Sequence, residues 1–160
     1  MQQDGIGVSA IKRDDDIAIV SIKNPPARPG VAYLVFGELA EADIDVDIIL
    51  QTESPMRNND IVFTIHDHDS EKTLAVLEET FAESAETSVV INSDAVKLSV
   101  SGAGMQGKPG VAAKVFKCLW NADIEIINIS TSEIKISMLI RKDDADAAQK
   151  ALYENFDIEL

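Results

Sequence analysis

The sequence predicts an α+β protein built twice over: two antiparallel sheets with helices on one face, each in the order β-α-β-β-α-β. Three observations lead there. The first is an internal repeat: at an offset of 80, Pro29–Ile49 and Pro109–Ile129 agree at 11 of 21 positions. The second is interleaving, because short β-rich runs alternate with stretches of three-to-four-residue apolar spacing in both halves. The third is composition. The 160 residues are 46% apolar and 26% charged, which is globular and sufficient for two small cores.

The modules are expected at 14–92 and 93–160. Ile17–Ile22 and Val96–Ser101 read as opening strands that end in Pro- or Gly-rich loops. Pro29 and Pro109 stand where a helix begins, since a first-turn N–H has no helical partner to lose. Val31, Val35, Leu39 and Ala42 form one buried helical face, and Val111, Val115, Leu119 and Ala122 form its twin. Ile44, Val46, Ile48 and Leu50 alternate with Asp45 and Asp47 as a half-buried strand. The next strand carries Ile61, Phe63 and Ile65, matched later by Ile134, Ile136, Met138 and Ile140. Asp69 or Ser70 caps a second helix with Leu74, Leu77 and Phe81 inward; Asp143 or Asp144 caps its counterpart, with Ala148 and Leu152 inward. Ser88–Asn92 and Phe156–Leu160 are the expected closing strands. Ile6–Lys12 is an extra strand, turning through Asp14-Asp15-Asp16, and a candidate to complete the second module's sheet. This is the split βαβ, ferredoxin-like sandwich, doubled. Its uncovered sheet faces call for pairing of modules or subunits, and a homodimer follows as the expectation.

Charge and cysteine content exclude several functions. With 14 basic against 28 acidic residues the net charge is −14, the wrong sign for nucleic acid. A single Cys rules out a disulfide framework and a multi-thiolate metal site. No apolar run approaches the ~18 residues that span a bilayer, and the first residues lack a signal pattern. A cytoplasmic protein with no membrane partner is expected.

Two segments carry a resemblance. Ala42–Gln51 (Ala-Asp-Ile-Asp-Val-Asp-Ile-Ile-Leu-Gln) resembles the helix-to-strand segment of the first ACT domain in aspartate kinase regulatory regions. Gly102–Met105, Lys108–Val111 and above all Ile129–Ile140, with its Ser-Thr-Ser-Glu opening, resemble the second. The chain is similar to the free-standing regulatory (β) subunit of the heterotetrameric enzyme, or to the same region of a longer polypeptide. The resemblance implies a module that is not itself an enzyme and needs no cofactor. It would bind threonine, lysine or both as feedback signals, at interfaces between first- and second-type ACT domains, and partner a catalytic (α) subunit. Carried over by position, the effector contacts fall on Arg28, Pro29, Gly30, Val31, Ala32, Asp45, Gln51, Met105, Asp123 and Ile124. Ser54, Val62 and Ser130 match sites where substitution relaxes feedback. Ala27 stands where the family has Asp, and Asp45 and Asp123 stand where Asn is common.

The residues themselves suit an amino acid. A helix opening at Pro29-Gly30-Val31-Ala32 offers unpaired N–H groups and a positive dipole end to a carboxylate. The start of the following strand, at Asp45 or Asp123-Ile124, is expected beside that loop, where an oxygen would accept from the ammonium. Gln51 supplies an amide that both donates and accepts.

Other motifs have plainer readings. Gly102-Ala-Gly104-Met-Gln-Gly107 spells G-x-G-x-x-G, but Pro109 begins the helix too late for a dinucleotide fold, leaving a flexible effector-contacting loop. His66-Asp-His68-Asp69 has no third ligand nearby in sequence, so no metal site is expected. Cys118 reads as a buried thiol without a base, and Trp120 as packing. Two rival functions remain: a stand-alone ACT sensor acting on a different enzyme or regulator, and a small ferredoxin-like enzyme. The latter lacks any convergent acid–base or nucleophile pair.

Overall fold

The computed structural model of the protein describes residues 7–51 and 60–156. Its elements are β1 (Ala10–Lys23), α1 (Val31–Glu41), β2 (Val46–Gln51), β3 (Ile61–Ile65), α2 (Ser70–Thr80), β4 (Ser88–Ser101), α3 (Val111–Asn121), β5 (Asn128–Thr131), β6 (Lys135–Ile140) and α4 (Ala145–Phe156). Two compact units form: Asp16–Ser93, and Asp94 onward together with the segment up to Asp15. The division falls inside β1 and inside β4. Among the described residues, no helix is long and apolar enough to cross a membrane.

In the first unit the strand order is β2-β3-β1-β4, with β3 antiparallel to both its neighbours. Ala18, Val20 and Ile22 alternate inward along β1 and meet Ile61, Phe63 and Ile65 of β3. Val31, Val35 and Leu39 from α1, with Leu77 and Phe81, close this core, and Phe36 stands edge-on to Phe63 at 5.3 Å. On α2 the inward face is Thr73, Leu77 and Phe81 at four-residue steps; Leu74, expected inside, is only half-buried. Asp69 takes the N-cap position of α2, yet its carboxylate bonds no first-turn N–H.

Both long loops after the repeated helices close in the same way. Past α1, the N–H of Ile44 donates to Leu39 O and that of Asp43 to Ala40 O, both at 3.0 Å, around a left-handed Asp43 at φ 56°. Past α3, Ile124 donates to Leu119 O and Asp123 to Trp120 O, with Asp123 at φ 58°. These are paired helix stops, each tucking its isoleucine against the core leucine of the last turn. Ile44 is spent on the stop, which is why β2 begins at Val46.

The second unit has the order β1-β4-β6-β5. Ile11, Val96, Leu98 and Val100 pack with Val111, Val115, Leu119, Met138, Ala148 and Leu152. Cys118 is buried here, and burial pushes its thiol pKa up. Trp120, read as packing, is 76% exposed on α3. Ile134 precedes the strand it was expected to open; its carbonyl instead accepts from Gly102 N–H at 2.9 Å.

Two expectations about strands need correction. No turn occurs at Asp14–Asp16; β1 runs straight through them. Each acid there has a basic partner distant in sequence or two residues away: Asp14 with Lys97 at 3.5 Å, Asp15 with Arg13 at 2.7 Å, and Asp16 with His68 at 2.7 Å. Phe156 ends helix α4 and does not open a closing strand, while residues 157–160 lie outside the described residues. The place beside β4 in this unit is taken by the first half of β1, tied on by Ser9 N–H to Ser101 O at 2.8 Å.

Candidate functional site

The repeated helices begin alike, and not at proline. Gly30 (φ 92°) and Gly110 (φ 94°) are the N-caps, so Val31 and Val111 are the first helical residues. A positive φ is open to glycine at little cost and closed to proline, which therefore stands one residue further out. A Cβ at either glycine would meet nothing within 4 Å, so the requirement is conformational and the space in front is open.

Neither helix start has a side-chain cap or an acidic residue in its first turn, whereas α2 has Glu71 and α4 has Asp146. In α1 the first N–H to find a carbonyl is that of Leu34, on Gly30 O at 2.9 Å; in α3 it is Lys114, on Gly110 O at 2.9 Å. Among the described residues no first-turn or capping carboxylate compensates the positive end of either dipole, the arrangement that suits an external anion. Arg28, Pro29 and Gly30 are exposed, as is Ala32. An open cleft of about 500 Å³ beside the α1 start is lined by Arg28, Val31 and Leu34, with Phe81 and Ser84 beyond α2. The loop leading to it is held by Asn24, at φ 51°, whose N–H donates to Asp60 Oδ1 and whose carbonyl accepts from Thr87 Oγ1.

Strand register decides which of the other expected contacts share this end. On β3, Ile61 faces Ile22 and Gln51, while Ile65 faces Ala18 and Val46. Hence β1 and β2 run parallel, and Gln51 lies at the sheet end from which the Arg28–Ala32 loop departs. Val62, half-buried, pairs with Ser21 and Leu50 at that same end. Asp45, exposed, does not lie beside the loop. It sits at the opposite end, separated by the 11 residues of α1, about 16 Å of helix. A right-handed βαβ crossover returns the chain to the bottom of the sheet before the next strand starts, so strand start and helix start are never neighbours within one unit. Ser54 lies outside the described residues.

The second unit repeats the pattern. Ser101 faces Lys135, and Thr131 faces Ile136, so the ends of β4 and β5 share the edge where the 102–110 loop begins. Ser130 stands there, across from Ser137, which in turn hydrogen-bonds Ser99 at 2.9 Å in a buried hydroxyl pair. Met105 is buried in the loop's single 3-10 turn. Asp123 and buried Ile124 are at the far end, occupied with the helix stop described above. The register thus brings Met105 and Ser130 to one end and excludes Asp123 and Ile124 from it.

Two glycines of the 102–107 loop, Gly102 and Gly104, have a structural task that sequence reasoning missed. A Cβ on Gly102 would lie 1.9 Å from Gly7 O, and one on Gly104 would lie 2.6 Å from Gly7 Cα. Gly7 itself has φ 76°, and its Cβ would strike Gly104 C at 2.1 Å. Two backbones touch here without side chains between them. The signal was present as a third glycine near the amino end, but nothing local connects position 7 to position 102.

Comparison with known proteins identifies the family of the fold. The family model for the ACT domain matches twice, at residues 23–81 and 98–156. The aspartokinase of Corynebacterium glutamicum is 37% identical over 154 residues, covering 95% of this chain and 36% of its own length. The aspartate kinase of Pseudomonas putida is 35% identical over 159 residues, 99% of this chain and 38% of that protein. The chain therefore spans little more than a third of the curated relatives it matches. A solved structure of the regulatory subunit of aspartate kinase from Thermus thermophilus superposes with a TM-score of 0.87 at 32% identity, over 94% of this chain and 99% of that one. The chain belongs to the ACT-domain family, as a tandem pair of the kind found in the regulatory region of aspartate kinases.

Proposed function

We propose that this ACT pair is the part of an aspartate kinase through which threonine, lysine or both exert feedback on aspartate phosphorylation, without chemistry of its own. The observation that carries the reading is the bare helix start at Gly30, with no acidic residue in its first turn, sharing one sheet end with Gln51. The N–H groups of Val31 and Ala32 receive the effector's carboxylate, and Gln51 binds its polar remainder. Asp123 and Ile124 stand a helix length from their own unit's loop, so they serve an effector from a second copy of the chain, in a homodimer. Met105 adds an apolar contact, and Ser130 and Val62 tune the strand ends beside the sites.

Inhibition then works by selection between arrangements. An effector enclosed by two copies is enclosed in one arrangement only, and stabilises that arrangement by its differential affinity. A catalytic subunit attached to it is held in the less active state, with a coupling of about 1–3 kcal/mol giving ~5–150-fold inhibition.

Thermal unfolding with each of the twenty amino acids tests this. At 100-fold over its dissociation constant, a ligand adds about 2.7 kcal/mol, a rise of roughly 5–10 °C in Tm. Threonine or lysine is expected to produce that rise, and Gln51→Ala to abolish it. An unmoved curve with both would end the proposal.

A further inference from the structure

We propose that Asp16, His66 and His68 form a binding site for a first-row divalent transition-metal ion, distinct from the amino-acid site and contained wholly in the first unit. Among the described residues this is the group of three whose ligand atoms converge, all lying within 4.8 Å of one another. Asp16 comes from β1, and the histidines come from the turn between β3 and α2, 50 and 52 residues away in sequence. Asp16 Oδ2 lies 2.7 Å from His68 Nδ1 and 3.3 Å from His66 Nδ1. In a tetrahedral site with ligands at 2.0–2.2 Å, adjacent donors are about 3.4 Å apart, so a slight opening of the closer pair seats an ion.

Three features point to a cation rather than to a hydrogen-bonded trio. First, one carboxylate oxygen faces two imidazole nitrogens and satisfies only one. His68 Nδ1 bonds it, while His66 Nδ1, shut off from solvent and close enough for an ion pair, is not aligned as a hydrogen bond and has no hydrogen-bond partner among the described residues. A lone pair buried without a donor is costly, and a metal ion would use it. Second, the two rings are held side by side at the one carboxylate, 5.2 Å between centroids and 14° from parallel, so rotation of one ring about its Cβ–Cγ bond brings both in-plane lone pairs toward one ion. Third, a carboxylate is near enough to move into outer support. Asp69 Oδ2 lies 3.6 Å from His68 Nε2, the nitrogen left over once Nδ1 ligates, and carboxylates at that position fix the tautomer and raise ligand basicity. The other oxygen of Asp16 accepts from the backbone N–H of His68 at 3.3 Å, which fixes the carboxylate's direction.

Two imidazoles and one carboxylate select zinc, nickel, copper or cobalt over magnesium and calcium, which prefer all-oxygen shells. Three protein ligands leave one position for water. The ion would staple the strand β1 to the turn that starts α2.

The chain holds two histidines in all, so imidazole ligation has one possible address. Untagged full-length chain, stripped with EDTA, is titrated with ZnCl2 by calorimetry and followed by NMR of the imidazole ring protons. One equivalent is expected to bind, perturbing both rings, and CoCl2 should give the visible d–d bands of a low-coordinate site. MgCl2 should do neither. Asp16→Asn and His66→Gln each weaken zinc at least 10-fold, and Asp69→Asn weakens it by about 10–100-fold while leaving stoichiometry at one. Circular dichroism of each variant checks that it is folded. If the wild type shows no saturable binding, or zinc binds without moving the histidine resonances, or the folded variants bind as tightly as wild type, the site does not exist.

Discussion

A methyl group added at Gly102 has nowhere to go, because the atom it would meet at 1.9 Å is a backbone carbonyl oxygen and not the end of a flexible side chain. Gly102→Ala is expected to destabilise the protein by about 1–3 kcal/mol or more in urea unfolding, the range for overpacking against a framework that must shift. Gly37→Ala in α1, where the added Cβ meets nothing within 4 Å, should instead stabilise by about 0.5–1 kcal/mol through helix propensity. The same scale holds a pH-sensitive pair. The hydrogen bond to Asp16, with the nearby charges of Asp16, Asp69 and Asp67, raises the pKa of exposed His68 against a smaller desolvation effect. Desolvation pushes the Asp16 carboxyl up, but hydrogen bonds from the His68 ring and N–H, with the charges of His68 and His66, outweigh it and hold it low. A base with a raised folded pKa stabilises below its unfolded value, near 6.5, and that contribution is lost as pH rises through the folded value. An acid with a lowered pKa stabilises above about 3.9 and loses that contribution as pH falls through the folded value. The pair should therefore contribute most between about pH 4 and 6.5, in metal-free protein. An NMR titration of His68 should give a midpoint above the free-histidine value, returning toward it in Asp16→Asn; identical midpoints in the two proteins would refute the pairing.

At the scale of the element, the paired helix stops separate a structural from a functional role for Asp123. Asp43 and Asp123 hold the same left-handed position in twin loops, at φ 56° and 58°. Glycine takes that conformation without steric cost, so Asp43→Gly and Asp123→Gly should each leave stability unchanged or raise it by up to about 1 kcal/mol, while Asp43→Val should lower it by at least about 1 kcal/mol. If the Asp123 carboxylate also holds an effector, Asp123→Gly keeps its Tm and loses the threonine- or lysine-induced rise, whereas Asp43→Gly keeps both. Equal effector responses in the two glycine variants would leave Asp123 with the helix stop alone. These loops also show what sequence can and cannot disclose. The apolar spacing of Val31, Val35 and Leu39 was readable because helical periodicity is local. The expectation that Asp45 neighbours the Gly30 loop failed because it depends on which end of the helix the chain has reached, and that follows from crossover topology rather than from residue type. The helix begins at Val31, two residues past Pro29, because a proline suits any first turn by its fixed φ, whereas the positive φ that makes Gly30 the N-cap is not announced by any local pattern.

On the scale of the whole molecule, the repeat made a doubled fold legible, but not the way the chain shares its strands. Three consecutive aspartates imitate a turn, and the cations that let them stay in a strand, Lys97 and His68, are 83 and 52 residues away from their partners. The second match to the ACT family, residues 98–156, should therefore not fold as a self-sufficient unit. The segment ahead of it supplies Ile11 to its core. The same segment accepts from Tyr153 Oη at Ile11 O, 3.2 Å, and places Arg13 on Asp146 and Gln149 of α4. It also presents Gly7 to Gly102 and Gly104. Deleting residues 1–15 removes all of these and exposes the edge of β4, whereas the first unit loses none of its own residues, since it begins at Asp16. Amide hydrogen exchange distinguishes the two units directly. In the truncated chain, Ser137–Ile140 of β6 should lose protection by several orders of magnitude while Phe63–Ile65 of β3 remain slow, and a peptide spanning residues 7–15, added in excess, should restore β6. If β6 keeps its protection without the leading strand, that strand is an ornament of the second unit and not part of its sheet.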